Sequence, residues 1–395
     1  MKAGSASVDI TPPVGAPMAC FPVVRGEQPR RAEGVHLPLL ANALVLSDGK
    51  STVGLCSSDL SMIHHVDVEE IRSRVGEEIP ELGGPPLIIA ATHTHSGPEN
   101  TYLFGAEPGD EMIRELNSRI AAAVVRAARS LRDATLSVAG GTLDLSHNRR
   151  VTGEDGRSRM VMEREPGTTE GPVDRDLEVL TCESAGRTLG ILCNWTAHAL
   201  TLGPQNRLFS PDYPGAARQE IQRLFPEAGV LFMNGAAGNV HPHRCMQNDP
   251  GLTGQIGASV GSEVLRLIED ARPVPNPELQ PASHTLRFPN RMDPDREVEV
   301  EISCLRIGPV LFAFVPGEVF VEFALEFKRR VDFEHVFFVG YANGWPGYIP
   351  TRKAYETGGY GVDRREDDPP EFGRTVVPRG AGEEILEALV ELARW

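Results

Sequence analysis

Two imidazoles stand two residues apart just past an apolar run, where Leu87 to Ala91 leads into Thr92-His93-Thr94-His95-Ser96-Gly97-Pro98. In an extended backbone, alternate side chains share a face, so both rings are expected on one side of the chain. Neutral histidine nitrogens suit zinc. A His-x-His also opens the metallo-β-lactamase signature, but that pattern needs an Asp and a further His immediately afterwards, and here Ser96-Gly97-Pro98-Glu99 follows. No His-Glu-x-x-His helix occurs either.

Three further groups sit in comparable places. His198 follows an apolar run ending at Trp195. Glu318 follows Leu311 to Val315 and is expected at the start of a helix, where the macrodipole favours a carboxylate. Tyr348 lies in Asn343-Gly344-Trp345-Pro346-Gly347-Tyr348, after Val336 to Val339. Singly, each has an ordinary explanation: a core histidine, a helix-terminal charge, a packing tyrosine. Together with His93 they are four polar groups after four separate buried strands, and strand ends are where α/β folds assemble sites from distant sequence.

The elements that must position these groups are legible as periodicity. Strand-like runs recur at Ala41 to Leu46, Thr52 to Ser57, Leu87 to Ala91, Leu136 to Ala139, Leu177 to Cys182, Leu189 to Trp195, Val230 to Met233, Val310 to Val315 and Val336 to Val339. Helical stripes lie between several of them. The clearest is Glu111 to Arg132, with Met112, Leu116, Ile120, Val124, Ala127 and Leu131 on one face; others are Val66 to Val75, Ala216 to Phe225, Gln255 to Glu269, Val319 to Val331 and Gly382 to Ala393. Strands alternating with helices predict an α/β fold, and a hairpin over Leu177 to Trp195 turning at Ser184-Ala185-Gly186-Arg187 makes it a layered mixed sheet with helices packed around it. A single domain over 1–395 is expected, with the site at strand ends. Arg149 to Arg175, Asp270 to Pro281 and Arg364 to Arg379 read as surface loops, the first and last supplying pocket walls.

Of 395 residues, 41% are hydrophobic, enough for a large core. The net charge of −16 repels phosphate backbones and anionic headgroups, so no nucleic-acid partner and no stable membrane association is expected. On that balance a neutral or cationic small-molecule substrate fits best. The N-terminus lacks a signal-peptide core and no run approaches the ~20 apolar residues of a span, which points to the cytoplasm. The six cysteines are scattered, with no Cys-x-x-Cys, and are expected to be buried free thiols. A homodimer is the commonest oligomer, and nothing in the chain requires one.

The ordered set Val8-Asp9-Ile10-Thr11-Pro12, Gly34-Val35-His36, Thr92 to Pro98, Asn148-Arg149, Asn194-Trp195 with His198, Asn234-Gly235-Ala236-Ala237-Gly238-Asn239, Pro316-Gly317-Glu318 and Asn343-Gly344 with Gly347-Tyr348 resembles the catalytic domain of the neutral/alkaline ceramidases. The resemblance spans nearly the whole chain. It implies one zinc ion per chain, held by His93, His198, Glu318 and Tyr348, with His95, Arg149 and Tyr360 around the scissile amide.

Two departures qualify it. The sequence stops at Trp395, without the C-terminal immunoglobulin-like domain that ceramidases carry, so lipid handling at a membrane is not expected. His241 stands where ceramidases have a serine, and is read as a substrate contact, a proton carrier or an extra metal ligand, against a packing role. The expected activity is zinc-dependent hydrolysis of an amide or related acyl bond in a small, soluble substrate, with water activated by the metal, the oxyanion stabilised by Arg149 or Tyr360 and a proton relayed by His95. An ester or lactone hydrolase on the same site, or a silent protein that retains the metal, are the alternatives. Carboxylates are expected behind the ligating imidazoles to fix their tautomers, with Asp59 and Asp212 as candidates against a simple capping role.

Overall fold

The computed structural model describes residues 1–21, 29–102, 107–162, 171–363 and 375–394. Its architecture is α/β, as the alternation of elements predicts, built on three mixed sheets. The first sheet runs in the order Leu87–Ala91, Thr52–Ser58, Leu40–Ser47, Lys2–Asp9 and Arg132–Asp133. Gly229–Asn234, Arg187–Trp195, Asp176–Ser184, Thr135–Thr142 and Arg272–Pro273 form the second. Leu279–Pro289, Glu297–Ile307, Val310–Phe314 and His335–Val339 form the third. The hairpin over Asp176–Ser184 and Arg187–Trp195 turns where the sequence predicts.

Each sheet is antiparallel except for one parallel pair at its edge: Thr52–Ser58 with Leu87–Ala91, Arg187–Trp195 with Gly229–Asn234, and Val310–Phe314 with His335–Val339. These pairs contain the most continuous apolar runs in the chain, as strands buried on both faces must. One apolar cluster draws Leu44, Leu55 and Ile88 from the first sheet, Leu192 and Leu231 from the second, and Phe312, Phe314 and Phe337 from the third. The three sheets therefore share an inner core. Burying each such side chain contributes about 1.5–3 kcal/mol relative to exposure.

Helices cover the outer faces. Helices α1 (His65–Glu78) and α2 (Glu111–Arg129) pack Val68, Ile71, Ile120 and Val124 on the first sheet. The second is covered by α3 (Asp212–Gln222) and α4 (Pro250–Glu269), the third by α5 (Val321–Arg330) and α7 (Ala381–Leu392), with the short α6 (Arg352–Thr357) between them in sequence. On α2 the buried stripe runs through Ile113 and Leu116, with Met112 only partly covered.

Two readings of the sequence are corrected here. Glu318 does not open a helix; it lies in a two-residue strand, Glu318–Val319, that pairs in parallel with Tyr348–Ile349, and α5 begins at Val321. The loop expected over Asp270 to Pro281 contains Arg272–Pro273 and the start of Leu279–Pro289, which with Glu297–Ile307 forms a long hairpin that a search for continuous apolar runs passes over. Within the loop expected over Arg149 to Arg175, Arg150–Thr152 and Ser158–Met160 pair as a short hairpin, while residues 163–170 lie outside the described residues, as do 364–374 of the loop at Arg364 to Arg379. All six cysteines are buried, and none forms a disulfide among the described residues.

Candidate metal centre and active site

The C-terminal ends of the three parallel pairs meet. Gly340 N–H donates to Asn234 O at 3.0 Å, Ala91 N–H to Tyr341 O at 3.1 Å, and the Asn234 side-chain amide to Thr92 O at 3.1 Å, so segments leaving all three sheets are bonded to one another. At this junction lie His93, His198 and Glu318, each at most 4% exposed.

His93 does not continue its strand. The strand ends at Ala91 and His93 adopts φ 68°, a left-handed conformation that is uncommon for a residue with a Cβ. The two rings of the His-x-His still converge, with His93 Nε2 and His95 Nε2 3.3 Å apart, but by a backbone turn and not by strand alternation. His93 Nδ1 lies 2.6 Å from Ser61 O, and His198 Nδ1 lies 2.6 Å from Ala237 O. A carbonyl oxygen only accepts, so both Nδ1 atoms carry the proton. A neutral imidazole has one N–H, which leaves both Nε2 lone pairs facing inward.

They face Glu318 Oε2, at 3.4 Å from His93 and 3.2 Å from His198. That oxygen is buried and has no hydrogen-bond donor. Burial, then the nearby Arg149 charge, lower the His198 pKa to about 3, so the ring is neutral at physiological pH. Three acceptor atoms converging without a proton among them repel one another, and a cation relieves that repulsion. His93, His95 and His198 together also present nitrogens within 4.8 Å of one another, a grouping able to hold a metal ion.

The carboxylates expected behind the imidazoles are elsewhere. Asp59 is fully buried, accepting from Leu40 N–H at 2.9 Å and Arg218 at 2.8 Å. Asp212, at φ 58°, opens α3 and accepts from the backbone and hydroxyl of Thr201 and from Leu202 N–H, fixing the loop beyond His198. Backbone carbonyls, which sequence cannot place, fix the tautomers instead.

The remaining predicted residues surround this centre. Tyr348 is opposite Glu318 in the two-residue pairing and is 4% exposed. Its hydroxyl accepts from Arg149 Nη2 at 3.1 Å, and its ring lies 5.6 Å from that of Tyr360. Burial, with Glu318 adding to it, pushes the Tyr348 phenol well above its usual range. Arg149 also donates to Gly238 O at 2.6 Å and to His241 Nε2 at 2.8 Å, and its guanidinium lies 5.0 Å from the Tyr360 ring centre. His241 is fully buried, 5.3 Å from the His198 ring, with Nδ1 3.4 Å from Cys245 Sγ. Burial and the Arg149 charge hold it neutral. Since Nε2 accepts from a guanidinium, the single proton is on Nδ1. His95 is partly exposed beside Phe21, its pKa well below the ordinary value through burial and the neighbouring His93 and His198.

Three residues at the site carry no signal in the spacing of chemical groups. Tyr341, at φ 57°, stacks on His93 with ring centres 4.2 Å apart. Arg150 donates to Tyr360 O at 2.5 Å and Gly358 O at 2.6 Å, strapping the glycine-rich segment that carries Tyr360. Arg30 donates to His95 O at 2.9 Å. Asn343-Gly344 and Asn148-Arg149 lie beside the first two in sequence, which is the closest signal available.

Residues 1–231 match the sequence model of the neutral/alkaline non-lysosomal ceramidase N-terminal region. The chain belongs to that family. The ceramidase match covers His93, His95, Arg149 and His198, whereas Glu318, Tyr348, Tyr360 and His241 lie beyond it and are joined to the site by geometry. A neutral ceramidase of Mycobacterium tuberculosis is 23% identical over 252 residues, covering 58% of this chain and 37% of that protein. One from Pseudomonas aeruginosa is 24% identical over 229 residues, covering 54% and 33%. The aligned segments thus span about a third of each curated relative's length. The crystal structure of the neutral ceramidase from Pseudomonas aeruginosa superposes over 99% of this chain and 74% of that one, with a TM-score of 0.80 at 20% identity. A ceramidase complexed with C2 gives 0.81 at 18% identity over the same shares. At those identities the likeness is one of fold. No helix among the described residues is long and apolar enough to cross a membrane.

Proposed function

We propose that this chain is a zinc-dependent amidohydrolase acting on an amide or related acyl bond of a small, soluble substrate. The observation that carries the reading is the convergence of His93 Nε2, His198 Nε2 and the donorless Glu318 Oε2, all buried, with both histidine tautomers fixed from behind. Two nitrogens and one carboxylate oxygen suit zinc in a catalytic arrangement, where three strong protein ligands leave a further position open. Tyr348 is the fourth candidate ligand, its hydroxyl held by Arg149 and able to give way to substrate.

A zinc ion bound there would lower the pKa of water toward ~7 and polarise an acyl oxygen. The chain's own groups do the rest. Arg149 and Tyr360 present a cation and a phenol where the acyl oxygen gains charge. His95, neutral and partly exposed, would take up the proton that the attacking water gives up and pass it to the departing amine. His241, in the place the resemblance gives to a serine, holds Arg149 from the far side through a nitrogen that has no proton to give. Elemental analysis of chelated and zinc-reconstituted protein, with hydrolysis assays across ceramide, N-acyl amino acids, small amides and lactones, tests the reading. About one zinc per chain with zinc-dependent amide turnover supports it; protein that binds no metal, or binds zinc and turns over nothing, defeats it.

A further inference from the structure

Four arginines among the described residues are buried. Arg72 pairs with Glu301 at 2.7 Å and Arg218 with Asp59 at 2.8 Å. The other two, Arg149 and Arg30, make no ion pair with a carboxylate among the described residues, and both are at the site. Arg149 directs its Nη hydrogens to Gly238 O, His241 Nε2, Tyr348 OH and, weakly, Met160 Sδ at 3.8 Å, all neutral acceptors. Arg30 spends its hydrogens on the carbonyls of Ala19, His95 and Asn206, and its buried Nε–H has no partner. Arg150, partly buried and next in sequence, likewise bonds carbonyls and the Thr357 hydroxyl.

A buried cation without a counter-charge is costly, and elsewhere in this fold that cost is met by a carboxylate. For Arg149 the nearby carboxylate is Glu318, committed to the metal in the reading above, while Arg150 also has Glu322 and Asp363 close by. A divalent ion against one carboxylate leaves the centre positive, and the arginines add to it. A chain of net charge −16 therefore keeps a local positive field at one place. Charges on the outer surface are screened beyond about 8–10 Å, so inside the site this local field governs, reversing the preference for neutral or cationic substrates that the overall charge suggests.

We propose that the site takes an amide carrying a carboxylate near the scissile bond, of the N-acyl amino acid class, with Arg149 as the counter-ion of that carboxylate through the Nη1 hydrogen held only weakly by Met160 Sδ. The inference rests on the amidohydrolase reading for its chemistry but not for its binding. Stabilising an oxyanion would not produce this selectivity, because an N-acyl amino acid and its neutral carboxamide develop the same oxyanion. Only a group that meets the substrate's own charge separates the two.

The test uses zinc-reconstituted protein and a matched pair whose sulfonamide resists hydrolysis, N-(hexylsulfonyl)glycine and N-(hexylsulfonyl)glycinamide, titrated by calorimetry. The carboxylate is expected to bind about 10- to 150-fold tighter, the range of a charge-assisted hydrogen bond. Arg149→Gln is expected to cut that ratio to below about 3-fold, and a ratio it leaves unchanged overturns the assignment to Arg149; where it does not fold, Arg149→Lys, which keeps the charge without the fork, is expected to lower the ratio part-way, and an unchanged ratio there overturns it. Equal affinities in the wild type overturn the proposal. Hydrolysis of N-hexanoylglycine and its glycinamide separates the two readings: equal kcat/KM for the pair overturns the carboxylate while leaving an amidohydrolase, and carboxylate-selective binding with no turnover of either supports the carboxylate and overturns the hydrolase.

Discussion

Glu318 Oε2 and His198 Nε2 face each other at 3.2 Å, although the imidazole's one proton is spent on Ala237 O at its other edge. The pair is therefore two acceptors held together by the fold. Glu318→Gln keeps the shape and removes the charge that a cation needs. Zinc affinity is expected to fall by more than about 100-fold, since even outer-shell partners of a ligand cost 10–100-fold. Equilibrium dialysis against a zinc-buffered series measures this, and unchanged affinity would remove Glu318 from the ligand set.

The metal-free protein should lose stability on mild acidification. His198 and His241 are buried and neutral, with folded pKa values depressed below their unfolded value near 6.5. Between the two the unfolded chain binds more protons, so acid favours unfolding. The loss begins as pH falls through about 6.5 and continues toward about 3 for His198, at about 1.4 kcal/mol per pH unit for each ring that stays neutral. Urea unfolding of chelated protein at pH 7, 6 and 5 reads the slope; a flat profile contradicts the neutral assignment.

His241→Ser removes the acceptor of Arg149 Nη1 and leaves part of a buried cation's hydrogen bonding unmade. Such a loss costs about 1–3 kcal/mol. Thermal unfolding is expected to show it, and KM to rise with zinc content unchanged. A serine variant with wild-type stability and KM would mean that Arg149 does not depend on His241.

Arg150→Gln should leave the metal in place and loosen Tyr360. The arginine bonds two carbonyls of a segment in which Gly358, Gly359 and Gly361 all have positive φ, a conformation with little side-chain packing of its own. Misplacing a substrate-facing group by about 1 Å costs on the order of 100-fold. Steady-state kinetics with zinc quantitation checks this: kcat/KM down about 10- to 100-fold at constant metal content, with Arg150→Lys recovering part of it.

The apolar runs that end in the site were readable because strands buried on both faces are nearly continuous stretches of Val, Ile, Leu and Phe. The same criterion passed over Lys2–Asp9, made of Ala, Gly and Ser, and Glu297–Ile307, whose Glu297-Val298-Glu299-Val300-Glu301-Ile302 alternates with period two. His93, His95, His198 and Glu318 were found as groups following strands, yet two of the reasons attached to them fail: His93 is left-handed and not extended, and Glu318 starts a strand pairing and not a helix. The partners that set the tautomers, Ser61 O and Ala237 O, belong to the backbone and carry no residue signature. Arg30 and Arg150 escaped because an arginine that bonds carbonyls looks in sequence like any surface cation.

The meeting of the three parallel strand pairs bears on how the protein is made. His93, His198 and Glu318 come from separate stretches of the chain, and each follows a strand of a different sheet's parallel pair. No partly folded chain lacking one sheet can present all three atoms to an ion. On the zinc reading proposed above, metal capture would be the last act of folding, and because the ion would favour only the finished junction, its binding free energy would be added to the cohesion between sheets and not to any one of them.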